Sequence, residues 1–338
     1  METRFRYYLL SLLPQSTVAA DGSKIVPLLA LQVTLFPEKG ICIGYAFQHV
    51  AGDGSSMHAF INSWASICSL GEDSKVIPPN YDRLLVKNHT KELDDVFWKQ
   101  LKIIKSNTEH AMAEAKQAQL ISPETDEKVR ATFVIALEDI QKHLSDAGRS
   151  IKHLSTFTVV CDYVWTCLVK RGNAIADKVD EDELEQFICS ADCRGRTDPI
   201  IPANYFGNCL THCMTSAKNR QLSGEEGFLN ATELIGEAIY ERLHYQGGVL
   251  RGLETFFADM SEVKNMAKVV SVAGSPRQNY YDMDFGFGKP RKVEVTSIDS
   301  TGAISITASR DASRVPEIGL ALPKKRMDAF IKLFRKGL

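Results

Sequence analysis

Apolar and polar positions along the chain follow two periods, and the change from one to the other marks its elements. Residues 28–36 and 40–48 carry strand patterns on either side of Pro37-Glu38-Lys39-Gly40, which predicts a β-hairpin. Its second arm, Gly40-Ile41-Cys42-Ile43-Gly44-Tyr45-Ala46-Phe47, is mostly apolar and reads as a buried strand. The period then becomes helical. Met57, Phe60, Ile61, Trp64, Ile67 and Cys68 share one face, and Ser55 or Ser56 is available as N-cap.

Further helical patterns fall near 90–105, 109–120, 138–147, 154–171 and 225–245, with Trp165 inside the fourth. Strand patterns fall at 129–135, 187–192 and 317–322. Residues 292–298 and 303–309 alternate and predict a second hairpin through Asp299-Ser300-Thr301-Gly302. The last pattern, 324–338, is a helix facing the core with Met327, Phe330, Ile331 and Phe334. Residues 71–88 are polar and contain Pro78-Pro79, the natural linker between two domains. Strands and helices do not alternate strictly, so the fold class is α/β with mixed sheets rather than a doubly wound parallel sheet.

Composition narrows the function classes. The chain has 338 residues, 44% apolar and 24% charged, ordinary for a water-soluble globular protein. Forty basic residues face forty-two acidic ones, which leaves no basic field for nucleic acid or an anionic membrane. No stretch approaches the ~18–20 apolar residues of a membrane span. The apolar run behind Arg4 and Arg6 is short and meets Pro14, so a cytoplasmic monomer is expected rather than an exported one. Eight scattered cysteines read as small buried apolar side chains in a reducing compartment. Cys189-x-x-x-Cys193 and Cys209-x-x-x-Cys213 have loose zinc spacing, but the strand pattern through Cys189 separates them from knuckle geometry, so no metal is expected.

Candidate chemistry starts at Gln48-His49-Val50-Ala51-Gly52-Asp53-Gly54, where the strand pattern gives way to the helix. A histidine on such a corner sits on a loop above a rigid scaffold. Its side chain titrates near neutrality, so it can take a proton from an alcohol and return it. The spacing argues against a His49–Asp53 dyad, since a tight turn after His49 aims Asp53 back into the protein. Two more segments stand out: Ala203-Asn204-Tyr205-Phe206-Gly207-Asn208-Cys209, and Tyr280-Tyr281-Asp282-Met283-Asp284-Phe285-Gly286-Phe287-Gly288. On its residues alone the latter is a glycine-bearing corner with two aromatic anchors. It is no kinase signature, because neither a Val-Ala-Ile-Lys strand nor a His-Arg-Asp loop precedes it.

Taken in order, the three segments resemble those of the plant BAHD acyltransferases, with His-x-x-x-Asp first and Asp-Phe-Gly-Trp-Gly near the C-terminus. Phe287 stands where the family carries Trp. Tyr205-Phe206-Gly207-Asn208-Cys209 is similar to the branch that acylates anthocyanins and other flavonoid or phenolic glucosides, often from malonyl-CoA. The resemblance runs from about residue 28 onward. It implies two chloramphenicol-acetyltransferase-like domains around a channel. One comprises 1–78 plus 284–310 and carries His49; the other comprises 79–283 plus 311–338. Family members have more residues before the histidine motif. The first domain is therefore expected to be incomplete, as in a truncated product, a splice form or an incomplete gene model.

The resemblance also assigns roles. It makes His49 the general base, and acyl-CoA and a phenolic or glycoside acceptor the substrates, with no permanently bound cofactor. It makes Asp53 structural and paired with an arginine, Arg194 ahead of Arg196, and Asp284 a scaffold residue. Ser155 and Thr156 match a segment lining the pantetheine channel; on residues alone they are a helix N-cap. Lys289, with Arg291 and Lys292, is placed to meet phosphates or to form a solvated face. Oxyanion donors are open between amides at 52–54 and the hydroxyls of Thr296 and Ser297. Met57, where malonyl-using relatives tend to carry a base, leans toward an aromatic or aliphatic acyl group unless His58 substitutes; His58 itself reads as polar surface. The competing expectation is an inactive remnant or an interaction protein.

Overall fold

The computed structural model describes residues 17–90, 93–99, 102, 128–135, 138, 151–176, 178–246, 248–250, 268–310 and 316–336. The N-terminal run 1–15, the helix expected over 109–120 and nearly all of 138–147 lie outside these residues.

The architecture is mixed α/β. After two short paired strands, β1 (Thr17–Val18) and β2 (Lys24–Ile25), comes the hairpin of β3 (Leu29–Phe36) and β4 (Gly40–Phe47). Its register runs from Leu29 opposite Phe47 to Phe36 opposite Gly40. Glu38 takes φ 61° at the turn. β4 is not buried as its composition predicts. These two strands form a two-stranded sheet of their own, and Leu31, Val33, Leu35 and Ile41 are exposed, Leu35 to 70%. Tyr45 of β4 packs against the Ile61, Ala65 and Met283 cluster, while the exposed positions have no layer over them among the described residues, and an uncovered sheet face stays in water whatever its sequence.

Helix α1 (Gly54–Leu70) follows, then α2 (Leu84–Thr90). The N-cap of α1 is Asp53, whose side chain accepts from the Ser56 N–H; neither Ser55 nor Ser56 caps it. Met57, Ile61 and Ala65 are buried, whereas Phe60, Ile67 and Cys68 are exposed, so the buried stripe is narrower than the sequence pattern.

The larger sheet has six strands in the order β5-β10-β9-β8-β6-β7. These are β5 (Lys128–Val134), β6 (Leu184–Asp192), β7 (Leu210–Lys218), β8 (Val269–Gly274), β9 (Ile304–Ala308) and β10 (Pro316–Pro323). β8 pairs in parallel with β6 and β9; the other pairs are antiparallel. Helices α3 (Thr156–Ile175), α5 (Gly227–Leu243) and α6 (Lys324–Lys336) pack with this sheet, and the short α4 (Asn219–Ser223) joins β7 to α5. Trp165, fully buried in α3, lies 5.6 Å from the Phe187 ring of β6. Phe330 and Phe334 of α6 meet Phe133 of β5 at 5.2 and 4.8 Å, and the Tyr163 hydroxyl donates to the Phe334 carbonyl at 2.5 Å.

The second predicted hairpin does not form. Residues 298–301 make one helical turn, ended by Gly302 at φ 70°. Arg130 of β5 grips the Asp299 carboxylate through Nε (3.1 Å) and Nη2 (2.5 Å), and Lys128 donates to its carbonyl. With the connection fixed as a helical turn, β9 pairs with β8 and β10 instead of folding back. Residues 284–310 thus divide: Phe285 packs edge-on against Trp64 of α1, while β9 lies inside the six-stranded sheet.

Six of the eight cysteines are buried free thiols; Cys42 and Cys68 are exposed, contrary to the reading of all eight as buried. Cys189 stands opposite Cys213 across β6 and β7. Among the described residues no group of three or more His, Cys, Asp or Glu converges as metal ligands do. No helix there is long and apolar enough to cross a membrane.

Asp162 of α3 is fully buried, with the Thr232 hydroxyl hydrogen-bonded to Oδ2 and, among the described residues, no partner at Oδ1. Burial pushes its carboxyl well above the usual range, against the pull of that hydrogen bond. The folded value exceeds the unfolded one of about 3.9. Its contribution to stability is therefore complete below about pH 4 and is lost as pH rises toward the folded value. Asp162→Asn should raise Tm at pH 7, with the gain fading as thermal melts are repeated down to pH 4.

Candidate active site

The β4–α1 corner is built around one buried ion pair. Asp53 is 0% exposed and the Arg194 side chain 5%. Arg194 Nη1 donates to Asp53 Oδ2 at 2.9 Å and Nη2 to Oδ1 at 3.1 Å, a two-point grip suited to a planar guanidinium. The remaining donors are also used. Nη1 reaches Asp192 Oδ1, Nη2 reaches the Gly207 carbonyl (2.7 Å) and Ser56 Oγ, and Nε reaches the Tyr205 carbonyl. Burial alone would pull the Arg194 pKa down; the hydrogen bond and charge of Asp53, with the charge of Asp192, raise it instead. Asp53 also accepts from the Cys209 N–H at 3.0 Å. Its oxygens are thus committed to Arg194, Ser56 and Cys209, which leaves none for an imidazole. Arg194, not Arg196, is the partner of Asp53.

The segment 205–209 closes over this pair. Gly207 accepts at its carbonyl from Ser56 Oγ (3.0 Å) and from the Asp53 N–H (3.4 Å), and its N–H donates to Ser56 Oγ (3.0 Å). A β-carbon on Gly207 would stand 2.7 Å from the Tyr205 hydroxyl and collide with Arg83 Nη1. Arg83 clamps the same segment from outside, donating to the Tyr205 hydroxyl (3.1 Å) and to the Phe206 carbonyl. It comes from the linker, which is tied in by an Asn80–Tyr205 bridge and by Asn204 Nδ2 on the Pro78 carbonyl. No sequence signal marked Arg83, and Ser56 stood out only as a candidate N-cap; their roles here follow from which backbone atoms are left open around Gly207.

His49 itself is exposed, on the loop above this foundation, with its ring 6.2 Å from that of Phe47. No hydrogen bond holds its ring among the described residues. His58 is half-buried rather than surface. Its Nε2 has no partner among the described residues, its ring stands edge-on to Tyr280 at 5.0 Å, and burial lowers its pKa. Met57 is buried, so its side chain faces protein.

The remaining expected residues lie apart from the ion pair. Asp284 Oδ1 accepts from the N–H groups of Gly286 (2.7 Å) and Gly288 (3.0 Å), both at φ near +90°, and so shapes its own loop. Phe285 anchors that loop on Trp64, but Phe287 is 76% exposed. Lys289 is exposed and bonded to Asp282 at 2.8 Å. Ser155 is the N-cap of α3, accepting from the Thr158 N–H at 3.1 Å, and Thr156 opens that helix; both are exposed.

This corner is carried on a mixed α/β frame. Comparison with known proteins gives the family: residues 6–336 match the model of the Transferase family, and the chain belongs to it, as a member of the BAHD acyltransferases. It is 37% identical over 320 residues to malonyl-coenzyme A:anthocyanin 3-O-glucoside-6''-O-malonyltransferase of Dahlia pinnata, covering 93% of this chain and 66% of that one. It is 39% identical to phenolic glucoside malonyltransferase 1 of Nicotiana tabacum (94% and 70%), and 32% identical to a coumaroyl-CoA:anthocyanidin 3-O-glucoside-6''-O-coumaroyltransferase of Arabidopsis thaliana (96% and 70%). The chain thus spans about two thirds of the length of these relatives. Vinorine synthase shares its fold at a TM-score of 0.66 and 21% identity (96% of this chain, 71% of that one). F. sporotrichioides TRI101, complexed with coenzyme A and T-2, does so at 0.58 and 15% (95% and 71%).

Removing one partner of a buried pair leaves the other charge uncompensated and costs about 3–5 kcal/mol. Asp53→Ala should therefore lower Tm and soluble yield together, as followed by thermal melts. Gly207→Ala should cost about 1–3 kcal/mol by overpacking against buried Tyr205. A chemical denaturation midpoint equal to that of the parent would overturn the steric argument.

Proposed function

We propose that the chain transfers an acyl group from an acyl-CoA thioester to a hydroxyl of a phenolic or flavonoid glycoside, with His49 as general base. The observation that carries this reading is the division of labour at the corner. Asp53 is locked to Arg194, while His49 is exposed above it, with no hydrogen bond to its ring among the described residues. The relatives support the substrate class, since their names specify malonyl or coumaroyl donors and anthocyanin or phenolic glucoside acceptors.

An alcohol is too weak an acid to ionise at neutral pH. His49 takes the hydroxyl proton as the oxygen attacks the thioester carbonyl. The new C–O bond gives a tetrahedral oxyanion, which donors near the corner stabilise. Collapse breaks the C–S bond, and the coenzyme A thiolate leaves as a thiol with the proton His49 carried. Ester and free thiol are the products, and the histidine is regenerated.

In this reading Asp53, Arg194 and Asp284 are scaffold, and Ser155 and Thr156 face the pantetheine arm from the start of α3. Lys289 belongs to a solvated face, because Asp282 already holds it. The first unit comprises the residues up to 78 with the 284–288 loop. The second carries the six-stranded sheet, β9 included. Burial of Met57 removes the argument for an aromatic or aliphatic acyl group, and the malonyl-using relatives favour a malonyl donor. A second reading, an interaction protein, draws on the exposed apolar row of Leu31, Val33 and Leu35, since such rows mark contact surfaces. Size-exclusion chromatography of Leu31, Val33 and Leu35 lysine variants against the parent tests it.

Thiol release from malonyl-CoA and coumaroyl-CoA, with a panel of glucosides, tests the enzyme reading. His49→Ala should abolish turnover and leave the thermal melt unchanged, since an exposed side chain holds little stability. Full activity in His49→Ala would remove it as the base.

A further inference from the structure

We infer that Asn208 is a positioning residue that holds the His49 turn in place, a role that builds on the reading of His49 as base. Residues 48–51 form a tight turn closed by the Ala51 N–H on the Gln48 carbonyl at 2.9 Å. His49 is the second residue of that turn, so its carbonyl belongs to the central peptide. In a β-turn that carbonyl receives no bond from within the turn, and the central peptide is the unit that rotates when one turn type converts to another. The tip also lacks packing: Val50, beside His49, is 76% exposed. What reaches the central peptide is Asn208 Nδ2, which donates to the His49 carbonyl at 2.7 Å. Arg83 Nη2 reaches the carbonyl of Ala51, two residues on, only at 3.5 Å.

The donor is mounted rigidly. Gly207, on one side of Asn208, is held by Arg194, Ser56 and the Asp53 N–H, and Cys209, on the other, donates to Asp53. The order built into the buried pair is thereby carried across one side chain to the backbone of the base. A catalytic group held this way stays within the narrow tolerance proton transfer requires, where a displacement of about 1 Å can cost on the order of a hundredfold in rate. Asn208 touches no reacting atom. It acts through His49, and that makes the idea separable from a merely structural role.

The experiment compares the parent, Asn208→Ala, Asn208→Asp, His49→Ala and His49→Ala/Asn208→Ala by turnover, thermal melt and NMR of histidine-labelled protein, with the His49 ring signal assigned by its loss in His49→Ala. Asn208→Ala should lower kcat about tenfold, within the range such displacements produce. KM for both substrates should stay within about twofold, since positioning acts on the rate of transfer rather than on binding. The melt should be unmoved, and the His49 signal broadened or split while the other histidines keep theirs. Asn208→Asp, the same shape without the amide donor, should lose at least as much. In the His49→Ala background the Asn208 change should have no further effect on the residual rate, because it acts through a side chain no longer there. A sharp, unshifted His49 signal in Asn208→Ala overturns the tether, whether or not the chain turns over. So does a kcat loss that comes with a lowered melt and general signal changes. A fully active His49→Ala removes the base reading instead, and the NMR comparison still decides whether Asn208 holds the turn.

Discussion

The Asp53–Arg194 pair is the constraint on which the active corner depends. Two opposite charges taken out of water gain little unless every lone pair and N–H is matched. Here they are matched. Arg194 spends its donors on Asp53, Asp192, Ser56, Gly207 and Tyr205, and Asp53 spends its acceptors on Arg194, Ser56 and Cys209. A network that satisfies all its members has one arrangement, because any shift leaves a buried polar group open. That arrangement joins the end of β4, the start of α1, the end of β6 and the segment before β7, which no continuous element connects.

Its effect on chemistry is indirect. The same carboxylate that starts helix α1 is fully engaged by Arg194, Ser56 and Cys209, and so leaves the His49 ring on the turn above it unpaired with Asp53. Rigidity below and exposure above are complementary. The foundation is fully satisfied, whereas the turn bearing His49 is tied down by few contacts, among them the amide of Asn208. The second aromatic cluster, Trp64 with Phe285 and Met283 against Ile61 and Ala65, holds the far side of α1 to the 280–288 loop. The helix that begins at Asp53 is therefore fixed along its length as well as at its cap.

Where the sequence pattern and the structure part, the cause is the partner an element finds. β4 is apolar enough for a core strand, yet among the described residues it pairs with β3 alone and stays half open. Residues 292–309 alternate like a hairpin, but the grip of Arg130 on Asp299 and the left-handed Gly302 make their connection a helical turn. Phe287 looks like an anchor and points to solvent, while its neighbour Phe285 finds Trp64. Alternation and apolarity describe what a segment can bury, not what is there to bury it.

Local periodicity by itself determined the β3–β4 hairpin and its turn, the helices α1, α3, α5 and α6, the strands β5, β6 and β10, and the mixed character of the sheet. Each is a short-range property of 3.6- or 2-residue spacing, and Phe187, Trp165, Met327, Phe330 and Phe334 are buried as that spacing requires. The order of the three motifs determined the family. Only the tertiary structure decided the strand order β5-β10-β9-β8-β6-β7, the place of Arg83 and Ser56 around Gly207, and the amide of Asn208 on the backbone of His49. The contacts of Arg83, Ser56 and Asn208 depend on atoms brought together from more than a hundred residues apart, as with Asn208 and His49 at a separation of 159. No local period encodes such a meeting; it is selected by which buried donors and acceptors remain to be satisfied once the chain has closed.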